Sequence, residues 1–180
     1  MLSRRSFLGS VAAGVAGSPF LLAAEPGTSA RKKLAIVTTV WTYQSHAWHM
    51  PERFLHGYPI AGRWHRPPFD VVSAYVDQKP EGDLSRGRAE EFGFKIYPTV
   101  AEALRHGGDK LAVDGVLLIG EHGEYANNEF GQKKYPRYEL FKQIVDVYRQ
   151  DGHTAPVFND KHLSWKFDWA KEMVDASKEL

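Results

Sequence analysis

Two short stretches of this chain concentrate side chains that can move protons. Glu121-His122-Gly123-Glu124-Tyr125 offers a carboxylate, an imidazole and a phenol within five residues, and Asn159-Asp160-Lys161-His162 offers a carboxylate, an ammonium and an imidazole within four. A lysine among acids and imidazoles can hold an anionic oxygen, or act as a proton donor when its pKa is lowered. The plainer alternative is a solvated loop in which Asp160 or Ser164 caps the following helix. Asp77 is a third candidate, because an acid that closes a strand can accept hydrogen bonds from ribose hydroxyls; otherwise it is a surface turn residue before Gln78-Lys79-Pro80. His46, His49, His56 and His65 crowd a stretch rich in tryptophan. His46 and His49 share the spacing of two ligands on one helix face, but no His-Glu-x-x-His motif or regularly spaced carboxylate accompanies them, so no metal site is assigned. The stretch reads instead as an aromatic, amphipathic lid, with Arg63 to Pro68 as an exposed loop.

These candidates matter only if the fold brings them together. Apolar, β-branched runs at Lys33–Val40, Phe69–Val76, Phe94–Tyr97, Val113–Ile119 and Ala155–Phe158 read as buried parallel strands. Helical patterns fall between them. Asp83–Phe92 is closed by Gly93, and Thr99–Arg105 opens on a Thr99/Glu102 capping box. Tyr135–Gln150 repeats apolar residues at helical spacing, and so does Lys166–Leu180. Alternation of this kind predicts an α/β fold, a doubly wound parallel sheet of five strands in the order 3-2-1-4-5. In such a sheet the ligand crevice lies beyond the carboxyl ends of the strands. The loops after the first, fourth and fifth strands then become neighbours. Glu121, His122, Asp160 and Lys161 are expected around one crevice floored by Thr38 to Trp41, with Asp77 across the first strand.

Composition narrows the chemistry. With 23 basic and 22 acidic residues among 180, the chain has no electrostatic reason to seek nucleic acid or an anionic membrane. It has no cysteine, which excludes disulfides, thiolate metal sites and thiol nucleophiles. The N-terminus reads Ser3-Arg4-Arg5-Ser6-Phe7-Leu8, followed by a weakly apolar, glycine-containing run to Ala24. The run is too short for an ordinary membrane span. It resembles a twin-arginine export signal. Residues 1–30 are therefore expected to be signal and linker, residues 31–180 a single domain, and the destination the periplasm or cell envelope.

From Lys33 onward the layout resembles the N-terminal Rossmann half of the glucose–fructose oxidoreductase and inositol dehydrogenase (Gfo/Idh/MocA) family. Four stretches carry the resemblance: Val72–Asp77, Glu91–Leu104, Val113–Ile119 and Asp160–Ser164, the last standing where the family has Glu-Lys-Pro. The resemblance implies an NAD- or NADP-dependent oxidoreductase acting on a sugar or polyol. By that match Lys161 would contact cofactor and substrate and Asp77 would be the terminal acid of the second strand; the strand-end chemistry adds His122 as its catalytic partner and Thr38, Thr39, Glu121 and Asp160 to the cofactor site. The resemblance also implies a further sheet-rich domain beyond Leu180, or a homo-oligomer, to complete the substrate pocket. The chain departs from the family in a longer segment between its first two strands and at two motifs. Val37-Thr38-Thr39-Val40-Trp41-Thr42 replaces the G-x-G-x-x-G loop, leaving threonine hydroxyls as the donors for a phosphate, and His162 replaces the proline. The alternative is a non-catalytic Rossmann-like domain that binds another ligand or a partner through the aromatic stretch Trp41 to Trp64.

Overall fold

The computed structural model describes residues 30–180; the twin-arginine stretch lies outside the described residues. Five parallel strands form one sheet: β1 (Lys32–Thr38), β4 (Phe69–Val76), β5 (Lys95–Tyr97), β6 (Gly115–Ile119) and β7 (Val157–Asn159). Their order is β5-β4-β1-β6-β7, the doubly wound arrangement expected from the sequence. β1 is central, and successive residues face opposite sides of the sheet. Ala35 and Val37 pack with Val116 and Leu118 under α4 (Val100–Leu104) and α5 (Arg137–Asp151), where Leu104, Ile144 and Tyr148 complete the cluster. Leu34 and Ile36 pack with Leu117 and Ile119 on the other side, against Trp41, Leu55 and Phe94. Helices α1 (His46–His49), α2 (Pro51–Leu55) and α3 (Ser85–Phe92) belong to that second side, and α6 (Phe167–Glu179) packs beside α5.

Local chemistry sets the helix ends. Thr99 Oγ1 accepts from Glu102 N at 3.1 Å, which closes the N-terminus of α4. Gly93 and Gly152 end α3 and α5 at φ 75° and 67°, a left-handed conformation that favours glycine. α3 begins two residues later than expected, because the Asp83 carboxylate accepts from Ser85 N and Oγ and holds a turn there. β6 starts at Gly115, not Val113, because Asp114 exchanges bonds with the Lys33 backbone.

The segment between β1 and β4 corrects one expectation. Arg63–His65 is not loop: it forms β3, antiparallel to β2 (Tyr58–Ile60), with Ile60 paired to Arg63. The two linking residues, Ala61 and Gly62, both have positive φ (47° and 76°), the primed turn that suits a two-residue hairpin. The strand remains exposed, as expected of Arg63–His65.

Candidate strand-end site

The loops after β1, β6 and β7 meet at the carboxyl edge of the sheet. Two side-chain bonds tie the first of these to the second. Thr38 Oγ1 donates to Ile119 O at 3.0 Å, and Thr39 Oγ1 donates to Glu121 O at 2.5 Å. Both threonines are fully buried. Each hydroxyl has one hydrogen, so neither has a donor left for a phosphate. Trp41 lies fully buried below them, stacked on Phe94 with ring centroids 5.8 Å apart.

Glu121 is held between two cations. Arg137 donates Nη2 to its Oε2, and Lys161 Nζ lies 3.6 Å from its Oε1. The Arg137 side chain has no exposure, Glu121 keeps 15% and Lys161 keeps 42%. Arg137 also lies 3.2 Å from His162 Nε2 through Nη1, and its guanidinium covers the Tyr135 ring. Asp160, almost wholly buried, accepts from His46 Nδ1 at 2.5 Å. The His46 and His122 rings stand edge to face, 5.2 Å apart. His122 and Lys161 both adopt left-handed backbone, at φ 68° and 59°. Burial, more than the neighbouring His46 charge, lowers the His122 pKa; burial and then Arg137 lower that of His162.

The structure thus gathers Glu121, His122, Asp160 and Lys161 into one cluster. Asp77 lies apart, at the end of β4 on the opposite side of β1. Its carboxylate already accepts from two phenols, Tyr75 at 2.8 Å and Tyr125 at 2.6 Å. Burial first, then the bond to Asp77, pushes the Tyr75 pKa up to about 12; Tyr125 is raised for the same reasons. Gln78 straps the same loop through Glu124 N and Glu124 O, at 2.9 and 3.1 Å. Gly123 sits beneath the strap at φ 99°, where a side chain would meet Tyr125, Gln78 and Val40 within 3.4 Å. The crevice therefore has a closed end at Asp77 and a charged end at Lys161.

A dinucleotide in the usual Rossmann pose does not fit these residues. The helix that would receive the pyrophosphate is α1, which has only four residues. Ser45 Oγ already accepts from Thr42 N and Trp48 N, both at 3.2 Å. Ser45 thus already engages the Trp48 N–H, one of the few that so short a helix could offer a phosphate. Among the described residues no group of three or more His, Asp or Glu is placed to hold a metal ion. No described helix is long and apolar enough to cross a membrane. A hollow of about 360 Å³ lined by none of the cluster's residues lies among Met50, Arg53, Phe54, Tyr58, Phe69 and Phe158 and their neighbours.

Arg137 was not singled out from the sequence, whereas His46, Tyr125 and His162 were noted there without an assigned role in this site. Arg137 had a legible signal: it opens α5 directly after Pro136, where a cation opposes the helix dipole unless an acid compensates it.

The fold and site define a Rossmann-like α/β domain. No family model matches the sequence, and no curated protein matches it. Among solved structures it is similar to the super-repressor mutant of Gal80p from Saccharomyces cerevisiae, with TM-score 0.54 and 12% identity over 83% of this chain and 33% of that one. It is also similar to biliverdin reductase in complex with biliverdin and NADP+ from Synechocystis sp. PCC 6803, with TM-score 0.49 and 16% identity over 83% of this chain and 35% of that one. The chain spans about a third of the length of each, and at these identities the likeness is one of fold.

Proposed function

We propose that this chain is the Rossmann-type half of an exported, Gfo/Idh/MocA-like oxidoreductase whose strand-end cluster receives the hydroxyl groups of a sugar or polyol. The observation that carries this reading is the meeting of Glu121, His122, Asp160 and Lys161 beside β1. A polyol needs donors and acceptors side by side. Lys161 supplies an exposed ammonium, and the carboxylates and imidazoles supply acceptors. The reading includes a second domain or a second copy that completes the pocket over this edge, and the twin-arginine route for its export.

In this reading NAD(P) is held weakly by this half alone, because the chain's own side chains already engage the Trp48 N–H and the Asp77 carboxylate. That closure favours a second reading, a Rossmann-like domain that binds its ligand without dinucleotide chemistry. Calorimetric titration separates the two. We expect NAD+ and NADP+ to bind in the high micromolar range or weaker, roughly −5 kcal/mol or less favourable. Sub-micromolar affinity would show that the glycine-free loop seats the dinucleotide after all. Titration of glucose and myo-inositol in parallel tests the polyol. Lys161→Met should abolish that binding with little change in melting temperature, since its contact to Glu121 is part exposed. Polyol binding unchanged by the substitution would remove Lys161 from the site.

A further inference from the structure

Asp160 closes β7 and His46 opens α1, yet their side chains meet at 2.5 Å through Nδ1. A carboxylate only accepts, so the neutral imidazole carries its proton on Nδ1 and its lone pair on Nε2. Among the described residues Nε2 has no hydrogen-bond partner, and it is not among the buried unpartnered atoms, so it reaches solvent. The Asp160 side chain is 5% exposed and that of His46 is 24% exposed. A buried acid thus orients a part-exposed base. The His122 ring stands edge to face with that of His46, its backbone is left-handed, and its own Nε2 is buried without a partner. Lys161 follows Asp160 in sequence and brings an exposed ammonium to the same cluster.

We infer that His46, oriented by Asp160, is the proton acceptor of this crevice, and that it takes the hydroxyl proton of a neutral, hydroxylated ligand whose oxygen faces the Lys161 ammonium. In that step the ligand O–H bond breaks and an N–H bond forms at Nε2. The electron pair stays on oxygen beside Lys161, and the imidazolium charge faces the Asp160 carboxylate. The groups facing His46 are Asp160 from β7 and His122 from the loop after β6; Glu121 and Lys161 act on the same cluster. The ligand class rests on the proposed function, whereas the dyad does not.

Two measurements test the dyad. Nitrogen NMR of the imidazole side chains should show neutral His46 as the Nδ1–H form; the Nε2–H form would overturn the proposal. Diethyl pyrocarbonate, which acylates neutral imidazole, probes the reactivity of Nε2, with peptide mapping by mass spectrometry. The exposed His153 serves as internal reference. Asp160→Asn should lower the high-pH plateau rate at His46 several-fold and leave His153 unchanged. An unchanged plateau at His46 would overturn the proposal. Should Asp160→Asn fail to fold, the NMR result on the unsubstituted chain decides alone. Neither measurement needs a sugar or NAD(P). A reactive His46 without polyol binding therefore sinks the ligand class only, and an ordinary His46 with polyol binding sinks the dyad only.

Discussion

Replacing Arg137 with methionine keeps most of the stem and removes the charge. The native guanidinium is wholly buried, paired with Glu121 and in contact with His162, and its Nε has no partner. Removing one member of a buried pair costs about 3–5 kcal/mol when the other is left alone. Here Glu121 keeps some exposure and has Lys161 3.6 Å away as a second cation, so the cost falls to the low end. Loss of the orphaned Nε returns about 1 kcal/mol. The net expectation for Arg137→Met is a destabilisation of about 2 kcal/mol, or roughly 4–8 °C for a domain of this size. Glu121→Gln should cost more, about 3 kcal/mol, because it leaves the fully buried cation facing neutral acceptors. The double variant should lie well short of the sum of the two, since both single changes break one interaction. Urea unfolding followed by tryptophan fluorescence gives the midpoints at constant slope. An Arg137→Met loss below about 0.5 kcal/mol, the range of ordinary surface substitutions, would refute the reasoning by showing that Arg137 is solvated.

Three further outcomes are expected, two from this geometry and one from the N-terminal sequence. Tyr125→Phe removes one of the two phenols on Asp77 and should cost about 1 kcal/mol in the same unfolding assay; no loss would mean that the Tyr125–Asp77 bond does not persist in solution. His122 has a folded pKa below its unfolded value of about 6.5, so its contribution is complete above that value and is lost as pH falls through it toward the folded value. Melting temperatures measured from about pH 7.5 to about pH 5 should therefore decline, and His122→Asn, which tolerates the left-handed backbone, should flatten the decline. Replacing both Arg4 and Arg5 by lysine should leave the protein in the cytoplasm, because the export receptor reads paired guanidinium groups; fractionation that still finds the double variant in the envelope would remove the export reading.

The central sheet was legible because its signals are local. Runs such as Leu34–Val37 and Val116–Ile119 have one stable home in an α/β domain, and Thr99, Gly93 and Gly152 mark helix ends through their own backbone preferences. Once the order is 3-2-1-4-5, the ends of β6 and β7 must be neighbours, so Glu121 and Asp160 could be placed together before any contact was known. The rest depended on reach between distant loops. Tyr125 meets Asp77 across 48 positions, and His46 meets Asp160 across 114. Nothing in either local sequence encodes such a pairing. The hairpin was hidden for a different reason: its turn uses Ala61-Gly62 in place of the Asn-Gly or Asp-Gly that announces a primed turn. Thr38 and Thr39 illustrate how residue type misleads. Hydroxyls at a strand end suit a phosphate, but parallel neighbours offered carbonyls first, at Ile119 and Glu121.

Backbone strain alone does not single out the charged end of the crevice. Gln44, Ala61 and His106 also adopt positive φ, and each serves a turn: one before the Ser45 cap, one in the hairpin, one after α4. Each such conformation costs about 1–2 kcal/mol for a residue with a β-carbon, so glycine would be the cheaper choice everywhere. What distinguishes His122 and Lys161 is that the cost is borne twice, at the ends of adjacent strands, by side chains that ionise. Each directly follows an acid, Glu121 or Asp160, whose own carboxylate is held by a residue from another element, Arg137 or His46. A turn needed only to reverse the chain could place glycine at both positions, as the chain does at Gly123 and Gly152. Ionisable side chains at both strained positions, with the acids before them fixed from elsewhere, suit the binding site proposed here better than a turn that only reverses the chain.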